Sequence, residues 1–258
     1  MSGKVRGASA AAVLVVLVVV FALPHQDPTS VDLTAILQNP SRTHLLGTDD
    51  LGRDVWALLA AGFWRTCTVV IVTCAISVLL GVPAGLAAGF LGRTTDSAIS
   101  SVTDLVLVVP SLVVALIVTS VVGLSPVSAG VVLGLYGAGT YALQTRSLTR
   151  VVRDRDHVRA EVLLGTPRPV ILARQILPEI SSPLLHYLGS TAAGAILSFA
   201  GLAFLGLGVD ATVPDWGTML YQYRSQTGHP TLLLAPSLAI AILAGAIHMV
   251  CDAPGRKR

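Results

Sequence analysis

The chain reads as an all-α membrane protein with six transmembrane helices and both termini in the cytoplasm. Two observations predict this. Of its 258 residues 53% are hydrophobic and 12% charged, against about 25% charged in ordinary soluble domains. The apolar residues gather into runs at 8–23, 66–90, 99–124, 127–145, 182–207 and 231–251, close to the ~17–25 residues of a spanning helix. The second observation is where the basic residues fall, because Lys and Arg accumulate on the cytoplasmic side. With the N-terminus inside, 13 of the 17 lie on that side and only Arg42, Arg53, Arg65 and Arg224 on the other. Five or seven spans would break the bias. The same clustering accounts for the net charge of +3 without a nucleic-acid partner.

The first run is short, and Lys4 and Arg6 ahead of it also suit a secretory signal peptide. Residues 22–25 lack a small-x-small cleavage pattern, so 1–24 are read as an uncleaved anchor. Residues 25–65 follow as an extracytoplasmic segment, with Pro28, Asn39, Pro40 and Ser41 marking loop. There Asp49, Asp50, Arg53 and Asp54 lead into an apolar stretch, 55–61, read as a helix lying at the interface. Acids suit a helix start, whose amides carry partial positive charge. A calcium loop would need oxygen ligands at more regular alternate positions, so no metal is expected.

Residues 66–251 are read as a five-helix core. Its first span carries Gly81, Gly85 and Gly89 on one face, with Pro83 expected to kink it. Lipid gives helices little hydrophobic reason to associate, so small residues four apart permit close backbone contact instead. The stripe predicts a tight crossing. Asp104, near the start of the next span, is read as a structural carboxylate, capping near the interface or pairing with an arginine such as Arg146. A lone charge at mid-bilayer costs about 2.5–3.5 kcal/mol, and a proton relay would have little besides His186 and His248 to enlist. Cys67 and Cys74, seven apart on one helix, are ~10 Å apart along its axis, too far for a disulfide. They read as packing residues. Residues 252–258 form a basic tail.

Between the fourth and fifth spans lies a polar loop, 154–179, longer than a turn requires. Val158, Val162 and Leu163 give a short amphipathic helix over 154–164. Gly165 falls where a left-handed C-terminal cap belongs, Thr166 at the N-cap of a second helix, and Pro167 at its first position. That helix is expected to end at Leu177, before Pro178. Such a hairpin fits either anionic lipid at the membrane surface or a cytoplasmic protein.

The loop resembles the coupling-loop signature of ATP-binding cassette importer permeases: Glu-Ala-Ala, three residues, Gly, nine residues, then an apolar stretch ending Leu-Pro. Arg159-Ala160-Glu161 stand at the triplet, Gly165 at the glycine and Ile176-Leu177-Pro178 at the end. Arg159 and Glu161 depart from the usual residues. Two further stretches are similar to the dipeptide/oligopeptide/nickel permeases. They are His44-Leu45-Leu46-Gly47-Thr48-Asp49-Asp50-Leu51-Gly52-Arg53-Asp54-Val55, and Phe204-Leu205-Gly206-Leu207-Gly208 followed by Pro214-Asp215-Trp216-Gly217-Thr218-Met219-Leu220. Together they resemble the shorter of that family's two permease subunits.

This resemblance implies a type I importer permease fold in the bacterial plasma membrane. It implies as partners a second homologous permease, one or two cytoplasmic ATPase chains and an extracytoplasmic substrate-binding protein. Peptides are the expected cargo. The coupling residues it implies are Arg155, His157, Val158, Arg159, Ala160, Glu161, Val162, Leu163, Gly165, Thr166, Pro167 and Pro178. The implied binding-protein face comprises Asp49, Asp50, Arg53, Asp54, Asp215 and Trp216. No Gly-x-x-x-x-Gly-Lys-Ser/Thr phosphate loop is present, so no cofactor is expected on this chain; ATP and magnesium belong to the partner ATPases. No His-Glu-x-x-His or Gly-x-Ser-x-Gly motif suggests an enzyme. The alternative is an ATP-independent secondary transporter or channel subunit.

The basic asymmetry makes a topological prediction. A cysteine at Arg224 reacts with an impermeant thiol reagent in whole cells, and a cysteine at Arg155 does not; the reverse pattern inverts the orientation.

Overall fold

The computed structural model describes residues 3–23, 27–206, 213–226 and 228–252. Pro24 and His25, Leu207 and Gly208 of the glycine-rich segment, and the basic tail beyond residue 252 lie outside them. Every regular element described is helical. In order they are α1 (Gly3–Ala22), α2 (Val55–Phe90), α3 (Arg93–Val108), α4 (Ser111–Val122), α5 (Pro126–Arg153), α6 (Asp156–Leu163), α7 (Arg168–Ile171), a π-helical turn (Leu172–Ile176), α8 (Leu177–Phe204), α9 (Trp216–Tyr223) and α10 (Pro230–Asp252). Among the described residues four helices are long and apolar enough to cross a membrane: α2, α5, the continuous Arg168–Phe204 and α10. The bent pair α3–α4 and the shorter apolar part of α1, Gly7–Ala22, stand beside them.

The structure corrects three boundaries. No separate interface helix forms at 55–61: those residues are the first turns of α2, whose N-cap is Asp54. That carboxylate caps α2, accepting from the Ala57 amide at 2.8 Å, and the helix then runs unbroken for 36 residues. At 1.5 Å per residue this is about 54 Å, well beyond a ~30 Å hydrocarbon core. Gly62 does not break it, because the space above that residue is filled by the indole of Trp216. The third predicted span, 99–124, is not one helix. Val109 precedes a proline and is pushed to extended backbone (φ −92°, ψ 131°), so α3 and α4 meet at 74° around Pro110. The third correction concerns Pro178. The helix expected to end before it continues through it, because the chain widens into a π turn just upstream. The Leu177 amide reaches back to the Leu172 carbonyl, and Pro178 falls at the start of the next α-helical stretch, where its missing N–H costs least.

The centre of the bundle is the crossing of α2 on α5. A Cβ at Gly81 would sit 2.5 Å from Tyr141 Cβ, one at Gly85 2.5 Å from Thr145 Cβ, and one at Gly89 2.6 Å from Thr149 Cβ. α5 answers with its own glycines: a Cβ at Gly130 or Gly134 would lie 2.8 Å from Val72 Cβ or Ile76 Cβ. Backbones this close bring hydroxyls into reach of carbonyls across the interface. Thr73 donates to the Gly130 carbonyl at 3.3 Å and Ser77 to the Gly134 carbonyl at 3.2 Å. Around this crossing α8 packs on α5, with the Tyr141 hydroxyl donating to the Leu184 carbonyl at 2.6 Å. α10 packs on α8. α1 is pinned where Phe21 stacks on Phe63 (5.0 Å) and Trp56 (5.4 Å) and accepts from Trp64 Nε1 at 3.1 Å through its carbonyl.

Gly85→Leu therefore forces the two helices apart and lowers the amount of folded chain recovered from membranes. Gly245→Leu on α10, where a Cβ meets nothing within 4 Å, serves as control. Equal recovery of both variants would show that the crossing does not hold the bundle.

Candidate functional site

The 154–179 loop projects from one end of the bundle as a compact helical elbow. α5 ends with Arg150 and Arg153 in its last turn, where the helix dipole favours cations. The chain turns at Asp154 into α6. Val158 is the buried anchor of α6, packed with Val152, Ile171, Ile176 and Ile180. On its free face Val162, Leu163 and Leu164 are 52%, 87% and 80% exposed, beside exposed Arg159 and Ala160.

A Schellman motif closes α6. The Thr166 amide bonds to the Glu161 carbonyl and the Gly165 amide to the Val162 carbonyl, both at 3.1 Å, which requires the left-handed conformation of Gly165 (φ +75°). Thr166 is not an N-cap. Its hydroxyl donates to the Glu161 carboxylate at 2.6 Å, and Pro167 occupies the N-cap position of α7. Glu179 ties the base of the elbow to α8, bonding Arg155 at 2.6 Å and His157 at 3.0 Å. A cavity of about 650 Å³ opens beside the elbow, walled by Phe90, Arg153, Arg159, Leu163, Thr166 and Arg168.

The same end holds a cluster that sequence reasoning missed. Asp96, at the start of α3, accepts from both Arg146 and Arg150 of α5, and Arg153 donates to the Gly89 carbonyl of α2 at 3.0 Å. Arg146 pairs with Asp96 and not with Asp104, which is exposed on α3. Nothing in the sequence marked it, because Asp96 lies 50 residues from Arg146 and only the packing of α3 on α5 brings the two together.

At the opposite end, five of the six residues expected to face a partner are buried. Asp49, Arg53, Asp54, Asp215 and Trp216 lie inside, and only Asp50 is exposed. Asp49 is a hub, fully buried, accepting from the Leu51 and Arg53 amides, from Arg53 Nε at 2.7 Å and from the Tyr223 hydroxyl at 2.9 Å. Burial, with the Asp49 charge beside it, pushes the Tyr223 hydroxyl well above its ordinary pKa, so it stays a donor. Asp54 caps α2 and pairs with His44 at 2.8 Å. Asp215 caps α9, accepting from the Thr218 amide and hydroxyl at 2.9 Å. Trp216 donates to the Leu59 carbonyl at 2.9 Å. These acids and this tryptophan clasp segment 27–54 to α2 and α9.

Residues 81–253 match the family described as binding-protein-dependent transport system inner membrane components. The chain belongs to that family. A dipeptide transport system permease from Alkalihalophilus pseudofirmus is 30% identical over 217 residues, 84% of this chain and 71% of that one. A nickel transport system permease from Escherichia coli is 30% identical over 250 residues, 94% and 90% of the two chains. A glutathione transport system permease from Pectobacterium atrosepticum is 27% identical over 233 residues, 90% of this chain and 77% of that one. The fold is that of a chain from the MetNI methionine ABC transporter in an inward-facing conformation (TM-score 0.63, 18% identity, 78% of this chain and 97% of that one). Within the family this is an importer permease of the peptide and nickel group, a multi-pass protein of the bacterial inner membrane.

Asp49→Asn removes the carboxylate charge that pairs with the buried Arg53 guanidinium. Breaking such a pair costs about 3–5 kcal/mol, so the thermal midpoint of the purified chain falls by several degrees. Asp50→Asn, at the exposed neighbour, leaves it unchanged; equal midpoints would remove the hub from the account of stability.

Proposed function

We propose that this chain is one of two related permease subunits of an ATP-driven peptide importer. In this reading it crosses the membrane six times, counting α1 and the bent α3–α4 pair, with both termini cytoplasmic. It forms half of the translocation path and couples to cytoplasmic ATPases through residues 154–179. An extracytoplasmic binding protein delivers the cargo on the other side. The family description supports the binding protein, and three relatives named for dipeptides, D,D-dipeptides or glutathione support a peptide cargo.

The observation that carries the coupling role is the elbow. Exposed Val162, Leu163 and Leu164 stand at the basic end of the bundle, where an apolar patch amid charges marks a protein contact. The mechanism is alternating access. Closure of the ATPase pair on ATP displaces the elbow as a unit, held by the Schellman closure and the Thr166–Glu161 bond. α7, the π turn and α8 form one continuous rod, so the displacement passes into α8 without a joint at Pro178. Glu179 adds a second link through Arg155 and His157. Burial of Asp49, Arg53, Asp54, Asp215 and Trp216 leaves Asp50 and the surface they support for the binding protein.

Gly165→Val tests the reading. A Cβ there meets no atom within 4 Å, so its cost, about 1–2 kcal/mol, is that of the left-handed backbone alone. Insertion stays normal, while co-purification of the ATPases and ATP-dependent uptake fall roughly tenfold. Gly123→Val also places a side chain at positive φ in open space, at the opposite end and in a backbone conformation (φ +88°, ψ 144°) harsher still for a Cβ, and leaves both intact. Wild-type ATPase binding and uptake by Gly165→Val would disprove the coupling role.

A further inference from the structure

Where on this chain the cargo passes is written in the hydroxyl groups of the bundle. Thr73, Thr140 and Ser190 stand at or beside the midpoints of α2, α5 and α8, and all three line one cavity of about 210 Å³. Eight of its twelve lining residues carry a hydroxyl and none a formal charge. That composition is unlike the rest of the outer surface, where Leu234, Leu238, Ile242 and Met249 of α10 stand exposed, suited to lipid.

The cavity hydroxyls differ in what they bond: Thr73 donates to the Gly130 carbonyl, and Thr140 and Thr191 bond back to the Gly137 and Tyr187 carbonyls of their own helices. On other faces of the bundle Thr68, Thr119, Ser120 and Ser237 bond back to carbonyls one turn earlier in their own helices. A hydroxyl satisfied in this way tolerates hydrocarbon. In the cavity Ser111, Tyr136, Tyr187, Ser190 and Ser198 have no hydrogen-bond partner among the described residues. Bilayer core offers such groups nothing to bond to, and leaving them unmade is costly. Their free donors and acceptors call for water or a polar solute.

We propose that Ser111, Tyr136, Tyr187, Ser190 and Ser198 form the cargo-facing wall contributed by this chain, a neutral hydrogen-bonding surface at mid-membrane that takes peptide-bond groups. The inference rests on the permease reading above and adds the site and its chemistry. Each hydroxyl both donates and accepts, which suits the alternating N–H and C=O groups of a peptide. With no fixed charge in the wall, charged ends of the cargo are met by water and not by this chain. The wall therefore discriminates little by the charge of a peptide's side chains.

The assembled importer carrying Ser190→Cys, Ser198→Cys or the lipid-facing control Leu238→Cys is treated in membranes with the impermeant cationic reagent trimethylammonium-ethyl methanethiosulfonate. The unsubstituted chain, with its own Cys67, Cys74 and Cys251, serves as the blank. The thiolate is the reacting form, and lipid suppresses it, so the wall cysteines react roughly 100-fold faster than the control. Rates equal to that of Leu238→Cys would overturn the assignment. The anionic sulfonatoethyl reagent tests the neutral character. The ratio of cationic to anionic rates at Ser190→Cys matches that of a free thiol; a bias beyond about tenfold either way, the sign of a charged field, would overturn it. Neither arm requires ATP, so failure of the coupling role and failure of this wall are distinguishable.

Discussion

The approach of α2 to α5 is the constraint on which the remaining packing depends. No large apolar force drives two helices together in lipid, so backbone proximity must supply the attraction. Gly81, Gly85 and Gly89 on one side and Gly130 and Gly134 on the other remove the atoms that would keep the backbones apart. Once they touch, Ser77 and Thr73 reach carbonyls across the interface. The crossing positions Tyr141 to hold α8 through the Leu184 carbonyl. It also brings Arg146 and Arg150 to Asp96, fixing the start of α3.

The two ends of this spine are built for different tasks. At one end polar groups turn inward: Asp49, Arg53 and Tyr223 close a buried network, and Asp54 and Asp215 spend their carboxylates on helix caps. A segment with little regular structure is thereby tied to the helices around it. At the other end apolar groups turn outward, at Val162 and Leu163 of α6 and at Leu164, its C-cap. Inward polarity makes a rigid cap, and outward apolarity makes a surface awaiting a partner.

Between the ends, the break at Pro110 separates α3 from α4 and brings Ser111 to the polar cavity. The wide turn at Leu172–Ile176 lets α7 and α8 run as one rod. One proline thus interrupts a helix and another is absorbed into one. The difference lies in the backbone before each: Val109 is forced to extended geometry, whereas the π turn gives Pro178 room.

The sequence alone determined whatever depends on neighbours along the chain. Apolar run length marked the long helices, glycine spacing marked the face of α2 that packs, and a glycine after an amphipathic stretch marked the left-handed close of α6. The ordered motifs pointed to the permease family. Tertiary structure decided everything that depends on which distant groups meet. Asp49 and Trp216 look like surface recognition residues in one dimension and are buried because Tyr223 and Leu59 reach them across more than 150 positions. Sequence reading offered Asp104 as a partner for Arg146, and the packing of α3 on α5 gives it Asp96 instead. The polar cavity has no linear signature, since its hydroxyls come from four helices. Local spacing encodes backbone geometry, and the choice of partners across the bundle is made only when the helices close.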